Sequence, residues 1–330
     1  MTLTPPGSQR PGRGRERREL WVAIAFLLPN LLGFLIFTSV PVLFSLAVSF
    51  SNWNLQQTVP FRWIGFENYA RMLHDSEFWL YTINTIYFLL GMPVAIAGSL
   101  FLAILLSQKL RGIVIYRTLF YLPSFTSGVA LMILWKSLYN PDFGLINAAI
   151  RWFSDLLHLG ITPPEWLLST KNVLGLDVER VGVTHGQWGL GARDAIIIMG
   201  IWMGIGGNNM LLYLAALTNV PQELTDAGQL DGAGRWQIFR HIIWPQLAPT
   251  TFFIVVMSFI GGLQGGFEQA RVMTSGGPAG TTTTLSYHIY TKAFEEFQIG
   301  YASAVSWALF ALIFVLTLVN WRFGNREVNY

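Results

Sequence analysis

The sequence predicts an all-α, polytopic membrane protein with about six transmembrane helices, and three observations carry that reading. Only 12% of the 330 residues are charged, against about 25% in an ordinary soluble domain. Hydrophobic residues make up 52% of the chain, and the mean hydropathy is +0.45. Several apolar runs reach the roughly 20 residues that a helix needs to cross the hydrocarbon core. The 13 Trp and 11 Tyr suit the bilayer interfaces, where amphipathic rings settle.

Residues 1–19 are rich in Pro, Gly and Arg and lack an apolar period, so they read as a disordered basic tail. Residues 20–330 form the transmembrane domain. Its first span is expected over 20–50, too long for a signal-peptide core and followed by no convincing cleavage site, hence a retained anchor. Pro29 and Pro41 are expected to kink it. Further spans are expected over 81–106, 119–138, 195–217, 249–269 and 301–323. Pro123 and Lys136 interrupt the third, and Lys136 lies near enough to its end to snorkel.

Six spans put both termini on one side, and the basic residues choose it. Arg10, Arg13, Arg15, Arg17 and Arg18 precede the first span; Lys109, Arg111 and Arg117 crowd the short loop after the second. Arg235 and Arg240 follow the fourth span, and Arg322 and Arg326 follow the sixth. Both termini are therefore expected in the cytoplasm. The long segment 139–194 lies opposite and reads as a partly helical cap, or alternatively as an insertion. The chain has no Cys, which removes disulfides, thiolate metal sites and Cys nucleophiles.

The most informative stretch joins the fourth and fifth spans. Asn219 suits a helix cap and Pro221 the first turn. Glu223 and Asp226 fall where the helix dipole favours acids, and Leu224, Ala227 and Leu230 recur at helical spacing. Asp231-Gly232 breaks the helix with a residue free to take positive φ. A second amphipathic segment runs through Trp236, Phe239 and Ile243, with Pro245 and Pro249 expected to separate it from the fifth span. So short a helix is marginal alone and needs a surface to dock on. The plain alternative is a hairpin packed on the chain's own spans.

This stretch resembles the signature loop of binding-protein-dependent importer permeases, a Glu-Ala-Ala, three residues, Gly pattern with a downstream Pro. Here it reads Asp226-Ala227-Gly228, Leu230-Asp231-Gly232-Ala233 and Pro245, with Asp for Glu and Gly for the second Ala. Residues similar to the sugar-type branch of the family run along the chain: Trp63 to Tyr69, Asn84-Thr85, Arg117 to Pro123, Asn140 to Asn147, Val272 to Pro278 and Gly300 to Ala304. The stretch 168–193 departs by its length. The resemblance implies a type I ABC importer permease fold, similar to the maltose and glycerol-3-phosphate importer permeases. Its core covers about 80–323 and its coupling loop 219–247. It implies that Glu223, Asp226, Ala227, Gly228, Asp231 and Gly232 couple the chain to an ATPase. The implied partners are a second permease subunit, two ATPase subunits and an extracytoplasmic solute-binding protein, with a sugar as substrate and the lipid bilayer as surroundings.

No Gly-x-x-x-x-Gly-Lys-Ser/Thr loop is present, so ATP and Mg are expected on the partner, and this chain is expected to be a transport subunit with no catalytic residue. No His-Glu-x-x-His pattern occurs, no metal site is expected, and no nucleic acid is implied. Polar groups within spans are costly and usually face a cavity or another helix. Asn208 and Asn209 in the fourth span and Gln264, Phe267 and Glu268 in the fifth are therefore the candidates for the solute path. Trp202 is a further ring able to stack on a sugar. The opposing reading has the two Asn bonding neighbouring helices. It also puts Glu268, about 30 Å along a span begun at Pro249, at the far interface. A six-span secondary transporter or channel is the alternative class; it would need coupling-ion sites or half-repeats. An intramembrane enzyme would have to recruit His185 or His241, which fall in loops.

Overall fold

The computed structural model describes residues 13–108, 111–176 and 188–324. Residues 1–12, Arg10 among them, and Lys109, His185 and Arg326 lie outside the described residues. Five helices are long and apolar enough to cross a membrane: Trp21–Ser49, Ser76–Ser107, Ala192–Thr218, Arg235–Gln264 and Ile299–Arg322. A sixth crossing is a broken pair, Ile113–Phe125 and Gly128–Leu138, bent by 96°. These are called here the first to sixth spans in chain order. No β-strand forms among the described residues, where only the isolated bridges Ser51–Trp63 and Asn172–Trp188 occur.

The broken pair crosses rather than turning back, and side-chain contacts show why. The second and fourth spans run parallel. Near their starts Arg193 bonds Asn84; towards their ends Leu102, Ala103 and Leu106 share a core with Met210, Tyr213 and Leu214. The first half of the pair is tied to one end of this couple by the Arg117 guanidinium, which donates twice to the Leu106 carbonyl at 3.2 and 2.7 Å. The second half reaches the other end, where the Tyr139 hydroxyl donates to the Ala195 carbonyl at 2.9 Å. Six crossings place both described ends, Arg13 and Gly324, and residues 219–234 on one face, termed the terminal face; the opposite one is the far face.

Glycine lets the spans approach. A Cβ on Gly98 would stand 2.6 Å from Ile205 Cγ1, and one on Gly204 would stand 3.0 Å from Ala95 Cβ. Small residues at such crossings replace the missing hydrophobic drive between helices in lipid with close van der Waals contact. The fourth span breaks at Gly206-Gly207 into Ala192–Ile205 and Asn208–Thr218. A Cβ on Gly206 would collide with the Phe120 carbonyl oxygen, so the break is where the third span presses in.

The structure departs from expectation at the start of the first span and at the start of the fifth. Helix begins at Arg13, inside the stretch read as a disordered tail; Arg and Glu are good helix formers and extend the apolar helix outward. The first span is the least embedded, with 6% of its apolar window buried; its contacts come from Val40–Ser49, which lies along the sixth span. The fifth span begins at Arg235 and is not separated by Pro245 and Pro249. Pro245 sits in the first turn of Trp244–Gln264, which follows a π-helical turn at Phe239–Ile243, and Pro249 lies within that helix. Because the helix is already running at Pro245, the proline removes a helical hydrogen bond there, and the wide π turn just before it accommodates the ring.

Many of the family-like residues turn out to pin the backbone. The Asn68 amide donates to the Ser49 and Ser51 carbonyls at 2.9 and 2.8 Å, closing the turn after the first span. Asn84 donates to the Gly280 and Thr283 carbonyls, both at 2.9 Å. Thr85 Oγ1 accepts from the Leu285 N–H at 3.0 Å. These bonds hold a connection, residues 265–298, against the second span at the depth of residues 84–85, well inside it. Irregular backbone at such depth is tolerated only where protein satisfies its polar groups.

Candidate functional site

On the terminal face, Gln222–Leu230 and the helix beginning at Arg235 form a hairpin. The first helix ends in a Schellman motif: the Ala233 N–H donates to the Gly228 carbonyl at 2.9 Å and the Gly232 N–H to the Gln229 carbonyl at 3.0 Å. Gly232 takes φ +83°, where a side chain is strained. The second helix is started by Gln237, whose Oε1 accepts from the Gly234 N–H at 2.7 Å. Gly228 faces inward, and a Cβ there would lie 2.9 Å from Ile242 Cδ1 and 3.7 Å from Ile238 Cγ1. The hairpin is thus partly self-packed. Glu223, Asp226, Ala227 and Leu230, at i, i+3, i+4 and i+7, form the opposite stripe and are all exposed, with Leu230 at 90%. Asp231 and Gly232 at the bend are exposed as well. Leu224, 46% exposed, completes an outward surface.

At mid-depth, a cavity of about 300 Å³ opens between the second, fourth and fifth spans. Its walls are mostly apolar or glycine, from Gly91, Gly200, Gly204, Gly261 and Gly262, with polar groups from Asn209, Ser258, Gln269 and Thr284. No charged side chain lines it among the described residues. The fifth span ends beside it at Gln264, where Gly265 and Gly266 break the helix. Gly266 has φ +86° and a Cβ there would collide with Thr284.

The five path candidates separate. Asn209 lines the cavity and its amide donates to Ser258 Oγ at 3.5 Å. Asn208 accepts from the Tyr121 hydroxyl at 3.0 Å and bridges to the third span instead. Gln264 is exposed, and its carbonyl accepts from Ser286 Oγ at 2.6 Å. Phe267 packs on Tyr290 and Tyr287, with ring centroids 4.9 and 5.9 Å away. Glu268 is not at the far interface: its Oε2 lies 3.1 Å from where a Gly128 Cβ would stand. That sets the carboxylate beside the N-terminus of Gly128–Leu138, where the helix dipole favours it. The displacement follows from the fifth span beginning near Arg235 and breaking at Gly265. Trp202 packs edge-on against Trp135 at 5.5 Å.

Sequence reasoning passed over the polar clasp above the cavity. Arg193, 1% exposed, donates through Nη2 to Asn84 Oδ1 at 2.7 Å and through Nε to the Thr281 carbonyl at 3.0 Å. The Tyr87 hydroxyl donates to Asp194 Oδ1 at 2.6 Å. Arg193-Asp194 at the start of an apolar run was the available signal, since buried ionisable groups in spans are kept for a reason.

A second cluster closes the far-face ends of the second and sixth spans. The Tyr301 hydroxyl donates to Asp75 Oδ2 at 2.6 Å, and Arg71 lies 4.5 Å above the Tyr301 ring. Burial works to raise the Asp75 pKa. The bonds from Tyr301 and the Glu77 N–H, with the nearby His288 and Lys292, outweigh it and hold the carboxyl below its usual range. His288, 2% exposed, packs at a tilt against Tyr81 at 5.0 Å. Burial, aided by the Lys292 charge, pushes its pKa down to about 4.

Six crossings, two of them broken beside a glycine-walled cavity, and a rigid exposed hairpin on one face define a multi-pass transport protein of the membrane. Residues 84–326 match the family described as the binding-protein-dependent transport system inner membrane component, and the chain belongs to that family. It is 34% identical to the probable ABC transporter permease protein YesP of Bacillus subtilis, over 99% of this chain and 98% of the relative. It is 30% identical to the sn-glycerol-3-phosphate transport system permease protein UgpA of Pectobacterium atrosepticum, over 95% and 97%. It is 32% identical to the probable starch degradation products transport system permease protein AmyD of Thermoanaerobacterium thermosulfurigenes, over 89% and 90%. The fold matches a solved bacterial ABC transporter involved in import of the acidic polysaccharide alginate. The TM-score is 0.75 and the identity 22%, over 96% of this chain and 99% of that one. The protein is an ABC importer permease of the inner membrane.

Proposed function

We propose that this chain is one of two membrane-spanning subunits of an ATP-driven importer for a neutral sugar or sugar-like solute. The terminal face is cytosolic, and there the hairpin seats in a groove of an ATPase subunit that binds the ATP and Mg. A solute-binding protein delivers the solute at the far face. The observation that carries this reading is the hairpin's outward stripe of Glu223, Asp226, Ala227 and Leu230, exposed on a helix whose inner face is already packed. Small residues allow close approach and the acids offer partners to basic groups. The second arm of the hairpin continues into the fifth span, whose other end borders the cavity. A push on the hairpin therefore reaches the solute path through one helix of 30 residues, about 45 Å long.

The solute class is supported by the cavity's polar groups, an amide from each of Asn209 and Gln269 and hydroxyls from Ser258 and Thr284. These groups hydrogen-bond sugar hydroxyls without a charge to balance. A relative named for starch degradation products points the same way, whereas one named for glycerol-3-phosphate serves an anionic solute. The decisive experiment is Gly232→Leu in the intact transporter. Uptake should fall while membrane insertion persists; normal uptake by this variant rejects the coupling role.

A further inference from the structure

The helix Leu145–Leu157, on the far face after the third span, is amphipathic in an inverted sense. Its fully buried positions, Asn147 and Ser154, are polar, with Ile146 and Ile150 half-buried beside them against the core. Asn147, 1% exposed, accepts from Trp166 Nε1 at 2.6 Å and donates to the Pro141 and Pro164 carbonyls at 3.3 and 3.2 Å. Ser154 Oγ accepts from the Ile161 N–H at 2.9 Å. The side turned away from the protein is apolar: Leu145, Ala149, Trp152 and Leu156 recur at i, i+4, i+7 and i+11, flanked by Phe153 and Leu157, and all are exposed. A water-soluble helix would face the other way round, with its apolar stripe on the core.

The depth of this helix is fixed by a short chain of side chains. Asn147 holds Trp166; the Trp166 ring packs on Tyr139 at 4.9 Å; and the Tyr139 hydroxyl bonds the Ala195 carbonyl at the start of the fourth span. Tyr139 directly follows the third span, whose Ile133 and Leu134 are exposed at its far-face end. The apolar stripe is therefore held beside the far-face ends of the third and fourth spans, the level at which they leave the hydrocarbon. Arg151 and Asp155 flank it on one side, and Trp and Phe lie on the stripe itself. That is the composition of a helix lying in the headgroup–acyl boundary.

We propose that Leu145–Leu157 is an interfacial anchor whose outward stripe is seated in the lipid leaflet at the far face. It keeps the exits of the third and fourth spans at constant depth while other spans move.

The chain contains no Cys, so single cysteines report without background. Leu156→Cys, on the stripe, and Asp155→Cys, on its flank, are labelled with bimane in the transporter held with its co-purifying subunits. The complex is placed in nanodiscs of phosphatidylcholine and phosphatidylglycerol. Lipids brominated on the upper acyl chain should quench the label at position 156 several-fold more than at 155, and aqueous iodide should show the reverse order. Trp152→Cys serves as a second stripe position and should behave as Leu156→Cys. Equal iodide quenching at 155 and 156 overturns the proposal, because the stripe then faces water. Protection of position 156 from both quenchers overturns it too, because a protein subunit then covers the stripe.

Discussion

The Arg193 guanidinium and the Asn84 side-chain carbonyl meet at 2.7 Å, although 109 residues separate them in the chain. This bond joins the fourth span to the second, and both partners also hold the connection at 280–283: Asn84 through the Gly280 and Thr283 carbonyls, Arg193 through that of Thr281. Arg193→Met keeps the bulk but leaves Asn84 Oδ1 and the Thr281 carbonyl without their donor. Unmade bonds of this kind cost about 1–3 kcal/mol each. The purified complex should unfold at a temperature several degrees lower, measured by scanning fluorimetry in detergent, and an unchanged midpoint would remove the clasp from the account.

Gly206 and Gly261 predict opposite outcomes for the same substitution. Gly206→Ala sets a Cβ against the Phe120 carbonyl oxygen, a backbone atom that cannot swing aside. It should sharply lower the amount of folded protein in the membrane. Gly261 has nothing within 4 Å of its would-be Cβ and lies in a helix, where Ala is more stable than Gly by about 0.5–1 kcal/mol. Gly261→Ala should therefore leave stability unchanged or raised. Because Gly261 borders the cavity, the same methyl group should slow solute uptake in vesicles, and unaltered uptake would argue that solute passes elsewhere.

The hairpin bend separates conformational strain from bulk. Gly232 is at φ +83° with open space around it. Ala, Asn and Leu each add a side chain at that angle, and Asn tolerates it best. If the surface beyond Gly232 receives an ATPase, uptake should fall in the order Asn, Ala, Leu, with the largest drop at Leu. Equal uptake for Ala and Leu would mean that only the backbone angle matters.

Acid should loosen the far-face cluster. His288 is held neutral by burial, with its pKa pushed down to about 4 from 6.5. The unfolded chain therefore binds a proton between pH 6.5 and 4 that the folded chain refuses. Stability is full above pH 6.5 and declines as pH falls towards 4, by about 3 kcal/mol across that window. Asp75, held below its usual range, adds to the loss only at still lower pH, as it too is protonated. His288→Phe preserves the ring beside Tyr81 and should flatten the dependence of unfolding temperature on pH between 6.5 and 4. An unchanged slope would place the acid sensitivity on another group.

Hydropathy located the six crossings because a span is a property of composition over about 20 residues. It was blind to where they break. Gly206-Gly207 and Gly265-Gly266 interrupt helices without interrupting the apolar character of the run. The depth of residues 265–298 was also invisible, because their backbone groups are satisfied by Asn84, Thr85 and Arg193, far away in sequence. Glu268 was misplaced as a result: counting from Pro249 assumed a straight span, whereas the helix starts at Arg235 and stops at Gln264. The hairpin's bend was legible, since acids and glycine act over three or four residues, but its ends were not: the first helix starts at Gln222 with Pro221 as its cap, Asn219 closes the helix before it, and the second arm runs on into the fifth span. Which of its faces stays open was not, because that depends on Ile238 and Ile242 covering Gly228.

The unbroken helix from Arg235 to Gln264 has a consequence for how far any gate can open. A continuous rod has no gearing, so axial displacement delivered near Ile238 arrives beside Gly265 unamplified, less what the π turn at Phe239–Ile243 and Pro249 absorb. If an ATPase subunit drives the hairpin, the stroke available at the cavity is then set by that subunit, and the glycine joint at the rod's tip is where the helix gives way.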